Sequence, residues 1–188
     1  TDDDKAYETP EQLKALFTAE NADILNGAEL EVEITNSKIT AIKKLTLVNN
    51  TSSTRTLDGA NATYSFPIVV QMNNAIIKNL TAATIITGED ATGGITLQNV
   101  NVKERFVVED GYSRLFTVNL QKSSVNTTQL MRNRVTITST NKLPFLFVSE
   151  DAYEMTLNGA VGQLQYERAG YFTLYGSGSI DQMNVYHD

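Results

Sequence analysis

Side chains able to do acid, base or nucleophilic chemistry are sparse in this sequence. Cysteine is absent, which excludes disulfides, thiolate ligands and thiol nucleophiles. His187 is the single histidine and sits one residue from the carboxyl end, where chains commonly fray, so a histidine triad or a histidine-based zinc site is not expected. The remaining candidates are Asp58, Lys103, Glu104, Arg105, Asp110, Arg132, Arg134, Asp151 and Glu154. Glycoside hydrolysis needs two carboxyl groups roughly 5 to 10 Å apart across a cleft, and strands stacked about 4.8 Å apart could supply that spacing. Charged residues must face water, however, and solvated outward or turn positions are the simpler account of all nine. No residue is assigned a catalytic role on this basis. No P-loop or dinucleotide fingerprint occurs, and Gly93-Gly94 and Gly176-Ser177-Gly178 read as turns.

Two acidic groupings could suggest a cation. Asp2, Asp3 and Asp4 lack the Gly and distal Glu of an EF-hand. Glu29, Glu31 and Glu33 alternate with Leu30, Val32 and Ile34, which puts the carboxylates on one wet face of a strand, where such groups are usually solvated. No metal and no cofactor is expected. Tyr153, Tyr166, Tyr171, Tyr175 and Tyr186 crowd into the last third of the chain. Tyrosine stacks its apolar face on sugar rings and offers them a hydroxyl, but large rings also close a core, here together with Phe172. The candidate ligand-binding residues are therefore Tyr153, Tyr166, Tyr171 and Tyr175, with Arg105 and Glu104 from the charged strands.

The elements that must position these residues follow from patterning. A chain of 188 residues with 41% hydrophobic and 20% charged residues can fold as one domain without staples. The net charge of -7, with no basic stripe, argues against nucleic-acid binding. No apolar run approaches the roughly 20 residues of a membrane helix. Residues 1–8 read as a flexible acidic tether and 9–188 as a single domain. Thr9, Pro10, Glu11 and Gln12 form a capping-box pattern, and Leu13, Leu16 and Phe17 make an apolar stripe, which predicts a helix over residues 10–20 that covers the end of a core.

An apolar-Thr-apolar triplet recurs along the chain: Leu45-Thr46-Leu47, Ile68-Val69-Val70, Ile95-Thr96-Leu97, Phe116-Thr117-Val118, Val135-Thr136-Ile137, Met155-Thr156-Leu157 and Phe172-Thr173-Leu174. Spacings near 20 predict stacked coils, with the Thr residues forming an outward stripe. Second strand-like runs lie between them, at Ala75-Ile76-Ile77, Arg105–Val108, Pro144–Phe147, Gln163–Tyr166 and Gln182–Val185. Asn49-Asn50, Asn73-Asn74, Asn99, Asn141, Asn158-Gly159 and Gly176 fall where tight turns require tolerance of positive φ.

On this pattern the chain resembles the right-handed parallel β-helix proteins of the pectin-lyase-like superfamily, over about residues 9 to 188. The resemblance implies an all-β solenoid with an N-terminal capping helix. It also implies a bacterial protein exported to the cell surface, periplasm or medium. The function expected from it is a non-catalytic surface or envelope-associated module with polysaccharide or cell-surface glycan as partner. A small polysaccharide lyase or hydrolase and a structural or adhesive protein-binding module are the alternatives. Abundant Thr, Asn and Ser accord with export. A β-sandwich or jelly roll would give similar local alternation and is the rival architecture. The Thr stripe has no titratable group, so a site is expected off it, among the charged second strands or the final coils.

Overall fold

A computed structural model describes residues 10–111, 115–167 and 171–186. The acidic tether, the Thr9 cap and His187 lie outside the described residues. The helix predicted at Pro10 forms as α1 (Pro10–Leu16), followed by a single 3-10 turn at Ala19–Asn21 and α2 (Ala22–Leu25). Next come β1 (Glu29–Thr35) and β2 (Lys38–Leu47), which pair as an antiparallel hairpin. The rest of the described chain is β3 (Arg55–Tyr64), β4 (Ile68–Val70), β5 (Ala75–Thr87), β6 (Gly94–Val108), β7 (Phe116–Gln121), β8 (Ser124–Leu130), β9 (Arg134–Ser139), β10 (Leu143–Val148), β11 (Glu154–Asn158), β12 (Ala160–Glu167), β13 (Thr173–Tyr175) and β14 (Ser179–Tyr186).

From the end of β2 onward every described pairing is parallel. The strands stack as a parallel β-solenoid of about seven turns. Parallel stacking of successive coils removes the sandwich and jelly-roll alternative, whose neighbours run antiparallel. Three sheets line the stack, the second of them along only some of the coils. Sheet A stacks the starts of β3, β5 and β6 with β7, β9, β11 and β13. Sheet B is a short strip in which Tyr64, Ala82, Val102 and Val125 follow one another. Sheet C runs from the end of β2 through β4 and the ends of β5 and β6 to β8, β10, β12 and β14. β5 and β6, at 13 and 15 residues, bend through all three.

Six of the triplets lie wholly within strands and the seventh, from Phe172, enters β13 at Thr173, but they do not form one stripe. Leu45-Thr46-Leu47 and Ile68-Val69-Val70 pair with each other on sheet C, while the other five belong to sheet A. On sheet A only the triplets at 116–118, 135–137 and 155–157 share a register. Ile95 pairs with Val118 and Leu174 with Met155, so the two flanking triplets are offset by two residues. A two-residue slip keeps every side chain on its own face, and spacing alone cannot detect it.

Inward side chains form columns, such as Leu57, Ile77, Leu97 and Leu120 on sheet A and Leu45, Ile68, Ile85 and Phe106 on sheet C, all buried. Thr87 and Thr128 stand in the sheet C columns with fully buried hydroxyls that have no hydrogen-bond partner among the described residues. Corners use the left-handed conformation at Asn74, Asn79, Asn99 and Gly93. At one corner the amides stack, Asn99 Nδ2 donating to Asn79 Oδ1 at 3.0 Å and Asn79 Nδ2 to Asp58 Oδ1 at 3.3 Å.

Another corner is held by Arg132, which is buried rather than solvated, with 1% of its surface exposed. Its guanidinium donates to the carbonyls of Gly88 (3.0 Å), Ala91 and Glu109 (3.3 Å) and lies 4.6 Å from the Phe116 ring centroid. Burial pushes its pKa down, and the charges of Asp110 and Glu109 oppose that shift.

The amino end is closed as the helical stripe predicts, with one difference. Leu16 and Ile24 are fully buried, whereas Phe17 falls past the end of α1 and is exposed. The cap is completed by Asn21, whose Nδ2 donates to the Leu16 and Asp58 carbonyls (2.6 and 2.8 Å) and whose Oδ1 accepts from the Asp58 N–H (2.8 Å). One side-chain amide thus serves the edge of β3 as a further strand would. Replacing Asn21 by Ala is expected to cost about 1 to 3 kcal/mol and to increase self-association through the freed edge, read by urea melts and light scattering. Thr128→Val should raise stability by about 1 kcal/mol, because it removes an unpartnered buried hydroxyl at constant shape; a lower melting temperature would contradict this.

Candidate functional site

The outer surface of sheet A is a lattice set by the register. One outward column runs Gly94, Thr117, Thr136, Thr156, Tyr175. The next runs Thr56, Ile76, Thr96, Asn119, Thr138, Asn158. Rungs repeat at about 4.8 Å and outward neighbours on one strand lie about 6.6 Å apart, so the first column spans roughly 19 Å. From Thr96 to Asn158 the two columns carry only hydroxyls and amides. Each charge beside them is paired: Arg134 Nε lies 2.8 Å from Glu154 Oε2, and Lys78 Nζ 3.6 Å from Asp58 Oδ2. The hydrogen bond that Arg134 donates to Glu154, then the Glu154 charge, raise the Arg134 pKa above its ordinary value. Next to each of these carboxylates on the adjacent coil stands a cation.

The two ends of the platform differ. At the far end Tyr175 is 54% exposed in line with the Thr column, and Tyr171, just before β13, is 93% exposed. At the near end Gly94 leaves a gap. With Asn74 and Thr54, one residue before the paired positions Ala75 and Arg55, it opens a notch of about 330 Å³ lined also by Ile76, Thr96, Thr117 and Asn119. A Cβ on Gly94 would come within 2.4 Å of the Thr117 carbonyl oxygen, so close stacking of the coils creates the gap. The side chains of Asn74, Thr96, Thr117 and Asn119 have no hydrogen-bond partner among the described residues.

The expected site residues do not converge. Tyr153, Tyr171 and Tyr175 are exposed on the last two coils near sheet A, with Tyr153 preceding the Glu154 of the ion pair. Tyr166 is inside, 3% exposed, its ring stacked 4.2 Å from that of Phe172 and its hydroxyl donating to the Ala152 carbonyl at 3.4 Å. Its large ring fills a core column that smaller residues fill elsewhere. Glu104 and Arg105 are exposed where β6 turns from sheet B to sheet C, on a different face from the tyrosines. Glu104 accepts from Thr84 Oγ1 at 3.5 Å. Arg105 borders a cleft of about 500 Å³ with Ile86, Val107, Phe147, Glu89 and Asp110. Asp151 and Lys103 are exposed.

Glu31 and Glu33 face Lys44 and Lys43 across the hairpin at 3.6 and 2.9 Å. Among the described residues no group of three or more acidic or histidine side chains is placed to hold a metal, and no helix is long and apolar enough to cross a membrane. The Gly94 notch was missed in the sequence because Gly93-Gly94 read as a turn; only the register of β6 against β7 reveals the gap. Compared with family models, curated proteins and solved structures, the chain matches none.

The Thr117 carbonyl that a Gly94 side chain would meet is backbone and cannot retreat cheaply. Gly94→Ala is expected to lower stability by about 1 to 3 kcal/mol and to shift the amide resonances of Thr117 and Asn119 in the NMR spectrum. A variant as stable as the parent, with those resonances unmoved, would show that the coils are not packed this closely.

Proposed function

We propose that this chain is a non-catalytic module of an exported, surface-associated bacterial protein that binds glycan along the outer face of sheet A. The observation that carries the reading is the uncharged Thr and Asn lattice running from the Gly94 notch to the exposed ring of Tyr175, which moves the proposed site onto the Thr column rather than off it, since binding without catalysis needs no titratable group. A sugar chain is a linear array of hydroxyls with apolar ring faces. It needs closely spaced donors and acceptors for the former and an aromatic surface for the latter. The platform supplies both in line, with its polar groups fixed on rigid strands so that little ordering cost falls on the protein. The resemblance to pectin-lyase-like β-helices supports the glycan class.

The non-catalytic part concerns the platform and rests on the neighbours of the two carboxylates that flank it. Glu154 and Asp58 each face a base on the next coil, whereas glycoside hydrolysis places a second carboxyl across the bond to be cleaved. Recognition of protein is a second reading, favoured by the sheet C cleft, where Ile86, Val107 and Phe147 form an apolar floor beside charged Arg105, Glu89 and Asp110.

Retention on a polysaccharide array tests the proposal. Neutral glycans are expected to be held, with Thr136→Val and Tyr175→Ala each weakening retention by about three- to tenfold, the loss of one hydrogen bond or one stacking contact. No retention on any glycan would overturn it, and release of new reducing ends or unsaturated products over repeated turnovers would overturn its non-catalytic part.

A further inference from the structure

The notch at Gly94 has a chemistry of its own within the platform. Its lining includes three aliphatic residues, of which Ala75 and Ile95 belong to the buried core and Ile76 stands outward, together with two carboxamides, Asn74 and Asn119, and three hydroxyls, Thr54, Thr96 and Thr117. Ile76 breaks an outward column that is otherwise polar from Thr56 to Asn158. A bare hydroxymethyl group would gain nothing from an isoleucine wall, and a carboxylate would find no cation among the lining residues. The group that does fit pairs a methyl with an N–H donor and a carbonyl acceptor on the same few atoms. That group is acetamido.

We propose that the notch is a subsite for an N-acetyl group, so that the glycan bound on sheet A contains N-acetylated amino sugar. The inference rests on the glycan-binding reading of the platform. The acetyl methyl lies against Ile76, and the amide N–H and C=O are met by the carboxamides of Asn74 and Asn119, each of which offers both a donor and an acceptor. Gly94 lines the subsite and lets the Thr117 coil approach closely, since a Cβ there would meet the Thr117 carbonyl oxygen. The sugar ring that carries the group then rests toward Thr117 and Thr136, in line with the rest of the column.

Titration of isotope-labelled protein with chitotetraose and with cellotetraose, which share a linkage and differ in the acetamido group, separates this subsite from the platform as a whole. Chitotetraose is expected to bind at least about tenfold more tightly, the combined effect of one buried methyl and one added hydrogen bond. Its largest shifts should fall on the amides of Gly93, Gly94 and Thr117. Ile76→Ser and, as an independent variant, Asn74→Gly, which keeps the left-handed corner, should each cut the preference for chitotetraose by about threefold and leave cellotetraose unchanged. Equal affinity for the two tetramers, or chitotetraose shifts confined to other residues, would overturn the acetyl subsite while the platform stands. Binding of neither tetramer nor any other glycan would overturn both.

Discussion

Everything in this molecule depends on parallel strands meeting the coil above and the coil below in register. A strand in the middle of the stack finds all its backbone partners on those two neighbours, and its side chains alternate strictly between core and water. The register therefore decides two things at once: which side chains fill the interior columns and which outer side chains line up as a surface. Leu57, Ile77, Leu97 and Leu120 are continuous inside for the same reason that Thr117, Thr136 and Thr156 are continuous outside. The candidate site is a by-product of the packing, not an addition to it. That is why it lies on strands and inherits their rigidity.

Such a stack has to end, and its two described ends are treated differently. At the first coil the hairpin of β1 and β2, the helices and the amide of Asn21 meet the apolar core and the strand edge. At the last described coil, Leu174, Met183 and Val185 stand at the inward positions next to Met155, Leu164 and Tyr166, yet each is exposed. Aromatic rings gather on this side, where Phe172 stacks on Tyr166 and Tyr171 and Tyr175 face water.

The class of fold was legible in the sequence because alternation and turn residues are local. The capping helix at Pro10, the coil spacing and left-handed corners at Asn74 and Asn99 all came from short windows. Sheet assignment was not legible. A strand such as Ile68-Val69-Val70 on sheet C and one such as Val135-Thr136-Ile137 on sheet A obey the same inside-outside rule, and only their long-range partners distinguish them. The site was less legible still. Tyr166 could not be told from Tyr175 by type, because the in-or-out position of each is fixed by its pairing with Val185 or with Thr156. Arg132 looked like any surface cation, since nothing near it in sequence discloses the carbonyls of Gly88 and Ala91 that it meets.

Arg132 also ties together coils that are not neighbours in the stack. Solenoids are often thought of as modular, with coils gained or lost as units because each touches only its neighbours. The guanidinium of Arg132 reaches back more than 40 positions to Gly88 and Ala91, crossing the coil that carries Glu109. Excising or duplicating a coil within that span would leave a buried cation facing the wrong carbonyls, a defect that typically costs about 3 to 5 kcal/mol. The coils between Gly88 and Arg132 are therefore not interchangeable units, and inserting or deleting one there is more disruptive than doing so outside that span.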